Sequence, residues 1–399
     1  MLKKRLGVLI STTALMLTLT YPVMSQTLPM APASKFLLKG FGYTNFEKGP
    51  DEPSNFETAF SPIFLWKHGN NLLFEAELEM ELGAGGFEVG LGYAQLFYVL
   101  NDYVMLGMGK FLNPLNYFAE RLHPAWINKL PDMPLGISSM GVPLLGGSQL
   151  GVQFRGGIPV GNTKMTYTFY ITNGPTLNTG EPSGHGEDEA PPAGNSIASV
   201  QDVGVPVGGV GLLNFSNSKD NNDDKAIGTR IAFFLMPRLE IGVGFQTAKV
   251  GTQGTAFENV RATHQVLDLN YVGESAALKG KFDIRAQWVR LSIDNPNIEP
   301  LTYENKSSAW YAQFAYQPTN AGSNFIRNLE FVVRFDQLDR PDTEEAPLSA
   351  DISRITYGID YWISPSTLFK FSWQSMNKTH PDGEKESEGR FIAQVAIGF

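Results

Sequence analysis

The chain of 399 residues contains no cysteine. That absence excludes a disulfide scaffold, a cysteine zinc site, an iron–sulfur cluster, c-type haem attachment, a thiol nucleophile and a lipid-modified N-terminal cysteine. Charge is scarce too, at 18% Asp, Glu, Lys and Arg against about 25% in ordinary soluble domains. What charge there is leans acidic, with 40 Asp and Glu against 31 Lys and Arg for a formal −9. A nucleic-acid partner is therefore not expected, because its binder shows a basic face. Histidine is rare: His68, His123, His185, His264 and His380 fall into no spaced metal pair. No GxSxG elbow is present, so a nucleophile held beside its base is missing from the pattern. The expectation is a protein that is not an enzyme and needs no cofactor.

Long apolar runs are confined to the N-terminus. Lys3, Lys4 and Arg5 form a positive start, Leu6 to Leu19 an apolar core, and Ser25 a small residue ahead of Gln26. The run is shorter than the roughly 18 residues of a spanning helix, and Pro22 follows it, so residues 1–25 read as a secretory signal peptide. Its removal leaves 28 basic and 40 acidic residues. Residues 26–34 then make a short periplasmic lead into the remainder, 35–399.

That remainder is patterned with a period of two. Leu72, Phe74, Ala76, Leu78, Met80 and Leu82 alternate with Glu75, Glu77, Glu79 and Glu81. A strand puts all four carboxylates on one face, whereas a helix would scatter them. Phe369, Phe371 and Trp373 alternate in the same way with Lys370, Ser372 and Gln374, and Phe331, Val333 and Phe335 with Glu330 and Arg334. The pattern predicts strands over 35–47, 57–68, 72–82, 87–99, 103–112, 148–158, 164–174 and 225–235. It continues over 239–250, 262–272, 277–293, 305–317, 326–339, 352–363, 367–376 and 389–399.

The gaps alternate as well. Short connections such as Gly69 to Asn71, Met236 to Arg238 and Ser364 to Ser366 interleave with long ones such as 113–147, 175–224, 251–261, 340–351 and 377–388. Gly83 to Gly86 breaks the rule by being short where a long loop is due. Short turns on one rim and long loops on the other are the mark of transmembrane barrels. The predicted fold is an all-β, antiparallel transmembrane barrel of about 16 strands, apolar outside and polar within, because an open sheet edge in hydrocarbon would leave backbone groups unpaired. Terminal Phe399 closes an alternating strand with Phe391, Ala393, Val395 and Ile397. This resembles the signal that barrel-assembly machinery reads in a Gram-negative outer membrane.

Residues Gly109 to Gly136 read GKFLNPLNYFAERLHPAWINKLPDMPLG, rich in aromatics and punctuated by proline. With the strand count and Phe399, this segment resembles the phosphate-selective porin O and P superfamily. The resemblance implies that the third long loop, 113–147, folds into the barrel and sets a constriction. Leu130, Met133, Leu135 and Leu144 would pack it on the inner wall, while Glu120, Arg121, His123 and Trp126 are its candidate functional residues, the first three facing the water path. A folded cap over the mouth is the alternative.

A pore selects by the sign and spacing of its lining charges. The polar faces offer Lys110, Arg155, Arg230, Lys279, Lys281, Arg285, Arg334, Arg354 and Lys370, and against them Glu75, Glu77, Glu79, Glu81, Glu88, Glu240, Asp268, Asp283, Glu330, Asp336 and Asp360. Glutamates gather on 72–82 and basic residues on 277–376, so a closed barrel would set them across the lumen from each other. No arginine ladder singles out phosphate. The loop 175–224 carries eight acids against Lys219 and reads as flexible and extracellular. These features point to passive diffusion of small polar or ionic solutes, anions such as phosphate included. The implied partners are outer-membrane lipid and lipopolysaccharide, with a homotrimer in the manner of similar porins. A plugged barrel acting as a surface receptor, adhesin or assembly partner is the alternative.

Overall fold

The computed structural model describes residues 34–399 except 51–52, 84, 138–142, 180–210, 217, 300 and 342–349. The expected signal peptide and most of the acidic loop lie outside the described residues. The chain forms β1 (Lys35–Lys48), β2 (Asn55–His68), β3 (Leu72–Gly83), β4 (Gly86–Val99), β5 (Val104–Leu112), the helical turn α1 (Tyr117–Arg121), β6 (Ser148–Val160) and β7 (Thr163–Thr172). Two short strands follow, β8 (Thr176–Leu177) and β9 (Leu213–Asn214), then β10 (Ala226–Met236), β11 (Leu239–Lys249), β12 (Arg261–Ser275), β13 (Gly280–Ile293) and β14 (Asn305–Gln317). A second helical turn, α2 (Asn324–Arg327), precedes β15 (Leu329–Asp339), β16 (Asp351–Ser364), β17 (Thr367–Thr379) and β18 (Lys385–Gly398).

Sixteen of these strands make one closed antiparallel barrel in chain order, while β8 and β9 pair only with each other. Closure joins β1 to β18 from Phe41 opposite Gly398 to Lys48 opposite Phe391. Gly40 and Phe399 then exchange backbone bonds of 3.1 and 3.0 Å. The Phe399 ring stacks on Phe60 at 5.5 Å, so the last side chain clamps the seam from outside.

Alternation alone leaves open which face turns inward, and the closed wall decides it. On β17, Phe369, Phe371 and Trp373 are exposed while Lys370, Ser372 and Gln374 are buried. On β15, Phe331 and Phe335 point out, and Glu330, Arg334 and Asp336 point in. The exterior is thus an apolar band and the interior is lined with polar groups, the reverse of a soluble fold and the arrangement hydrocarbon demands. The largest buried cluster joins Phe111, Leu115, Phe118, Leu135 and Leu144 to inward residues such as Tyr170, Val266, Val289 and Tyr311.

Strand ends depart from the expected ranges where turn geometry overrides alternation. The strand expected from 277 starts at Gly280, because Lys279 adopts φ 51° in the preceding turn and so lies outside the wall face assigned to it. The strand expected from 326 starts at Leu329, because Asn324–Arg327 coils first. β17 and β18 run to Thr379 and from Lys385, which turns the expected long loop 377–388 into a tight connection. The short Gly83 to Gly86 hairpin is present, with the two glycines paired.

Val243 lies near the middle of β11, 51% exposed on the outer face. Val243→Arg is expected to lower folding stability in lipid vesicles by about 2–4 kcal/mol, the cost of a cation at the bilayer midplane. Denaturant titration of the refolded protein measures it; an unchanged midpoint would place this face out of lipid.

Candidate functional site

The segment 113–147 is tied at its base by Asn113, whose amide donates to the Gly147 carbonyl at 2.9 Å and whose Nδ2 donates to the Gly146 carbonyl at 3.0 Å. Asn116 caps α1 by accepting from the Ala119 amide at 3.0 Å, which orients the single turn bearing Tyr117, Glu120 and Arg121. Beyond it, the segment bonds to inward-facing side chains of strands around the whole wall.

Glu120 receives a bond from Arg155 of β6 at 2.8 Å, and Arg121 binds Glu240 of β11 at 3.0 Å. Arg230 of β10 holds Asp268 at 2.7 Å and the same Glu240 at 3.0 Å. Arg121 and Arg230 both lie over the Tyr117 ring, 5.1 and 5.2 Å from its centre. Burial alone would raise the Glu120 carboxyl, but Arg155, Arg121 and Arg230 outweigh it and hold that pKa below its ordinary value. His123 turns to the opposite side, its Nε2 3.4 Å from Glu77 of β3 and its Nδ1 2.5 Å from the Ala119 carbonyl. Burial disfavours the imidazolium, yet Glu77 by hydrogen bond and charge, Glu79 by charge and the Ala119 carbonyl together raise its pKa above 6.5.

Further along, Lys129 bonds Glu330 of β15 at 2.9 Å, and Trp362 Nε1 donates to the same carboxylate at 2.8 Å. Asp132 meets two guanidinium groups, Arg334 and, at 2.9 Å, Arg354 of β16. Both arginines also bind Asp336, at 3.0 and 3.2 Å, and both donate to the Met133 carbonyl. Lys370 of β17 donates to the Ala125 carbonyl at 2.5 Å, and Gln287 of β13 to that of Leu115 at 2.8 Å. Apolar docking fits between these bonds. Leu115 and Leu130 sit over Gly244 and Gly358, where a Cβ would come within 2.5 Å of either side chain, and Trp126 covers Gly398 likewise.

The structure therefore gathers most of the expected residues around the segment. Glu120 turns to the wall, where Arg155 meets it, while His123 lies between Glu77 and a cavity that it lines with Glu79 and Glu81. Of the expected trio, Arg121 lines a cavity of about 360 Å³, with Arg155, Lys164 and Arg230. Three of the basic residues on 277–376 have acids beside them: Arg285 is paired with Asp283 at 2.7 Å on its own strand, and Arg334 and Arg354 are matched by Asp132 and Asp336. Glu75 accepts from Gln95 at 2.6 Å, and Lys110 donates to the Leu91 carbonyl. Glu79 and Glu81 line a second cavity of about 60 Å³ on the other side of the segment. Lys281 stands in register with Glu274 and Gln317, away from the segment's contacts. Lys129 and Asp132, flanking Leu130 and Pro131, were not expected; their three-residue spacing of opposite charges in an apolar loop was the available signal.

No protein-family model matches the sequence, and neither does any curated protein. Among solved structures, the chain is similar to the outer membrane channel DcaP of Acinetobacter baumannii, with TM-score 0.56 and 13% identity over 92% of this chain and 97% of that one. It is similar also to an anion-selective porin from Comamonas acidovorans, at 0.55 and 11% over 92% and 100%. A trimer form of OmpT, an outer membrane protein of Vibrio cholerae, gives 0.53 and 9% over 92% and 100%. Identities this low establish the fold, a porin-type barrel. They do not single out the O and P superfamily.

Two outcomes are expected. Lys129→Met leaves the Glu330 carboxylate buried without its cation and costs about 3–5 kcal/mol, most of which Glu330→Gln added to it restores; denaturant unfolding of the four proteins of the cycle measures this. For His123, the folded chain holds the proton more tightly than the unfolded one. Its contribution is therefore whole below pH 6.5 and lost as pH rises through the raised value. Thermal stability of the wild type should fall over that rise relative to His123→Gln, and parallel curves would refute the assignment.

Proposed function

We propose that this chain is an outer-membrane porin, a water-filled channel through which small polar or ionic solutes diffuse passively. The observation that carries the reading is a closed wall of sixteen strands with exposed apolar side chains outside and charged ones buried inside, a size at which barrels keep an aqueous lumen. On this reading residues 113–147 lie across the lumen and form the constriction. The support is their bonds to Glu77, Arg155, Glu240, Gln287, Glu330, Arg354 and Lys370, which stand on strands from β3 to β17.

The lining supports general passage and gives phosphate no special seat, since the arginines flanking the segment are already engaged by carboxylates. The short-turn rim, with Asn101-Asp102 and Pro237-Arg238, faces the periplasm, and the long-loop rim faces outward to lipopolysaccharide. Phe399, at the seam, is the residue for the assembly machinery to recognise. The apolar exterior suits lipid and the flanks of a homotrimer.

Planar-bilayer recording of the refolded chain tests the reading. Discrete open-channel steps are expected, and deletion of residues 120–132 should raise the unitary conductance severalfold by clearing the constriction. Folded barrels that never conduct would refute it.

A further inference from the structure

Charge compensation inside the barrel is lopsided. Around β6 to β16 the arginines have carboxylate partners: Arg155 has Glu120, Arg230 has Asp268 and Glu240, Arg285 has Asp283, and Arg334 and Arg354 share Asp132 and Asp336. The wall of β2 and β3 is different. Glu57, Glu77, Glu79 and Glu81 share its inward side, and Ala59 between them pairs directly with Glu81. The cations acting on Glu79 are His123 and Lys110, and no guanidinium stands among them.

A second observation is independent of this count. The cavity of about 60 Å³ between the segment and this wall is lined by Tyr43, Ser61, Glu79, Glu81, His123 and Gln394. Glu77 and Gln394 are 1% and 3% exposed, yet Glu77 Oε2 and Gln394 Oε1 receive no hydrogen bond, and neither does Glu79 Oε2. These three orphans are oxygens, and a further one, His123 Nε2, lies 3.4 Å from Glu77. A buried acceptor without a donor is costly, and carboxylates this close do not all stay ionised without positive charge among them. Pore water can bring that charge as a mobile cation. Among the described residues no cluster of three or more acids or histidines is arranged to hold a metal ion.

Resting on the porin reading, we propose that the passage along β1 to β3 makes this channel cation-preferring, and that Glu79 and Glu81 set the preference. Small monovalent cations and protonated amines are the favoured class of solute.

The test is the reversal potential of the refolded chain in a potassium chloride gradient. The wild type should pass potassium over chloride, and Glu79→Gln with Glu81→Gln should lower the permeability ratio severalfold. A second measurement does not depend on that variant folding. The chain has no cysteine, so Ser61→Cys gives a unique thiol in the passage, and a cationic thiosulfonate reagent should modify it severalfold faster than an anionic one of equal size. Conducting channels that prefer chloride, or equal rates for the two reagents, would overturn this inference and leave the porin reading standing. Folded barrels without conductance would remove both.

Discussion

The backbone seam between β1 and β18 is the constraint on which the remainder depends. Until it forms, the sheet has two open edges, and in hydrocarbon each unpaired amide or carbonyl costs several kcal/mol by an order-of-magnitude measure. Once it forms, every wall residue is committed to one of two environments. The inward side is then polar at most positions. Anything that docks there does so by charge and hydrogen bond, with apolar contact at the wall's glycines and at inward residues such as Tyr170, Val266, Val289 and Tyr311.

The segment 113–147 obeys that rule. Leu115, Leu130 and Trp126 seat on Gly244, Gly358 and Gly398, and its charges meet wall partners of opposite sign. Buried ion pairs of this kind are poor sources of net stability, since desolvation offsets most of the attraction. They do fix one register, because a slip by a single residue would bury Glu120, Lys129 or Asp132 unpaired. Asp132, bound by two guanidinium groups that are themselves oriented by Asp336, is the most tightly specified of these contacts.

Much of the wall was legible in the sequence, because a period of two is a local property. Residues 72–82, 148–158 and 305–317 carry the whole signal within a dozen positions, and sixteen strands follow from it. The misfits are local too: a residue with positive φ at Lys279, a helical turn at Asn324–Arg327, and the short β8–β9 pair, whose two-residue strands are too brief to show alternation. The site was half legible. Alternation places Arg155, Arg334 and Lys370 on the inward side correctly. It says nothing about what each meets, since the partner lies 119 residues away for Arg121 and Glu240 and 245 for Lys370 and the Ala125 carbonyl. Charges in a loop read naturally as facing water, and the sequence could not show that the wall supplies Glu120 and His123 with partners of opposite charge.

Those long separations also set an order of events. A segment whose receptors lie on β3, β6, β11, β15, β16 and β17 has nowhere to dock until those strands have been brought together, and loop closure must be met before such contacts reward it. Seating of the segment therefore follows the meeting of those strands. The ion pairs that hold it thus brace strands that the sheet has already brought together, tying distant parts of one wall to each other through its interior.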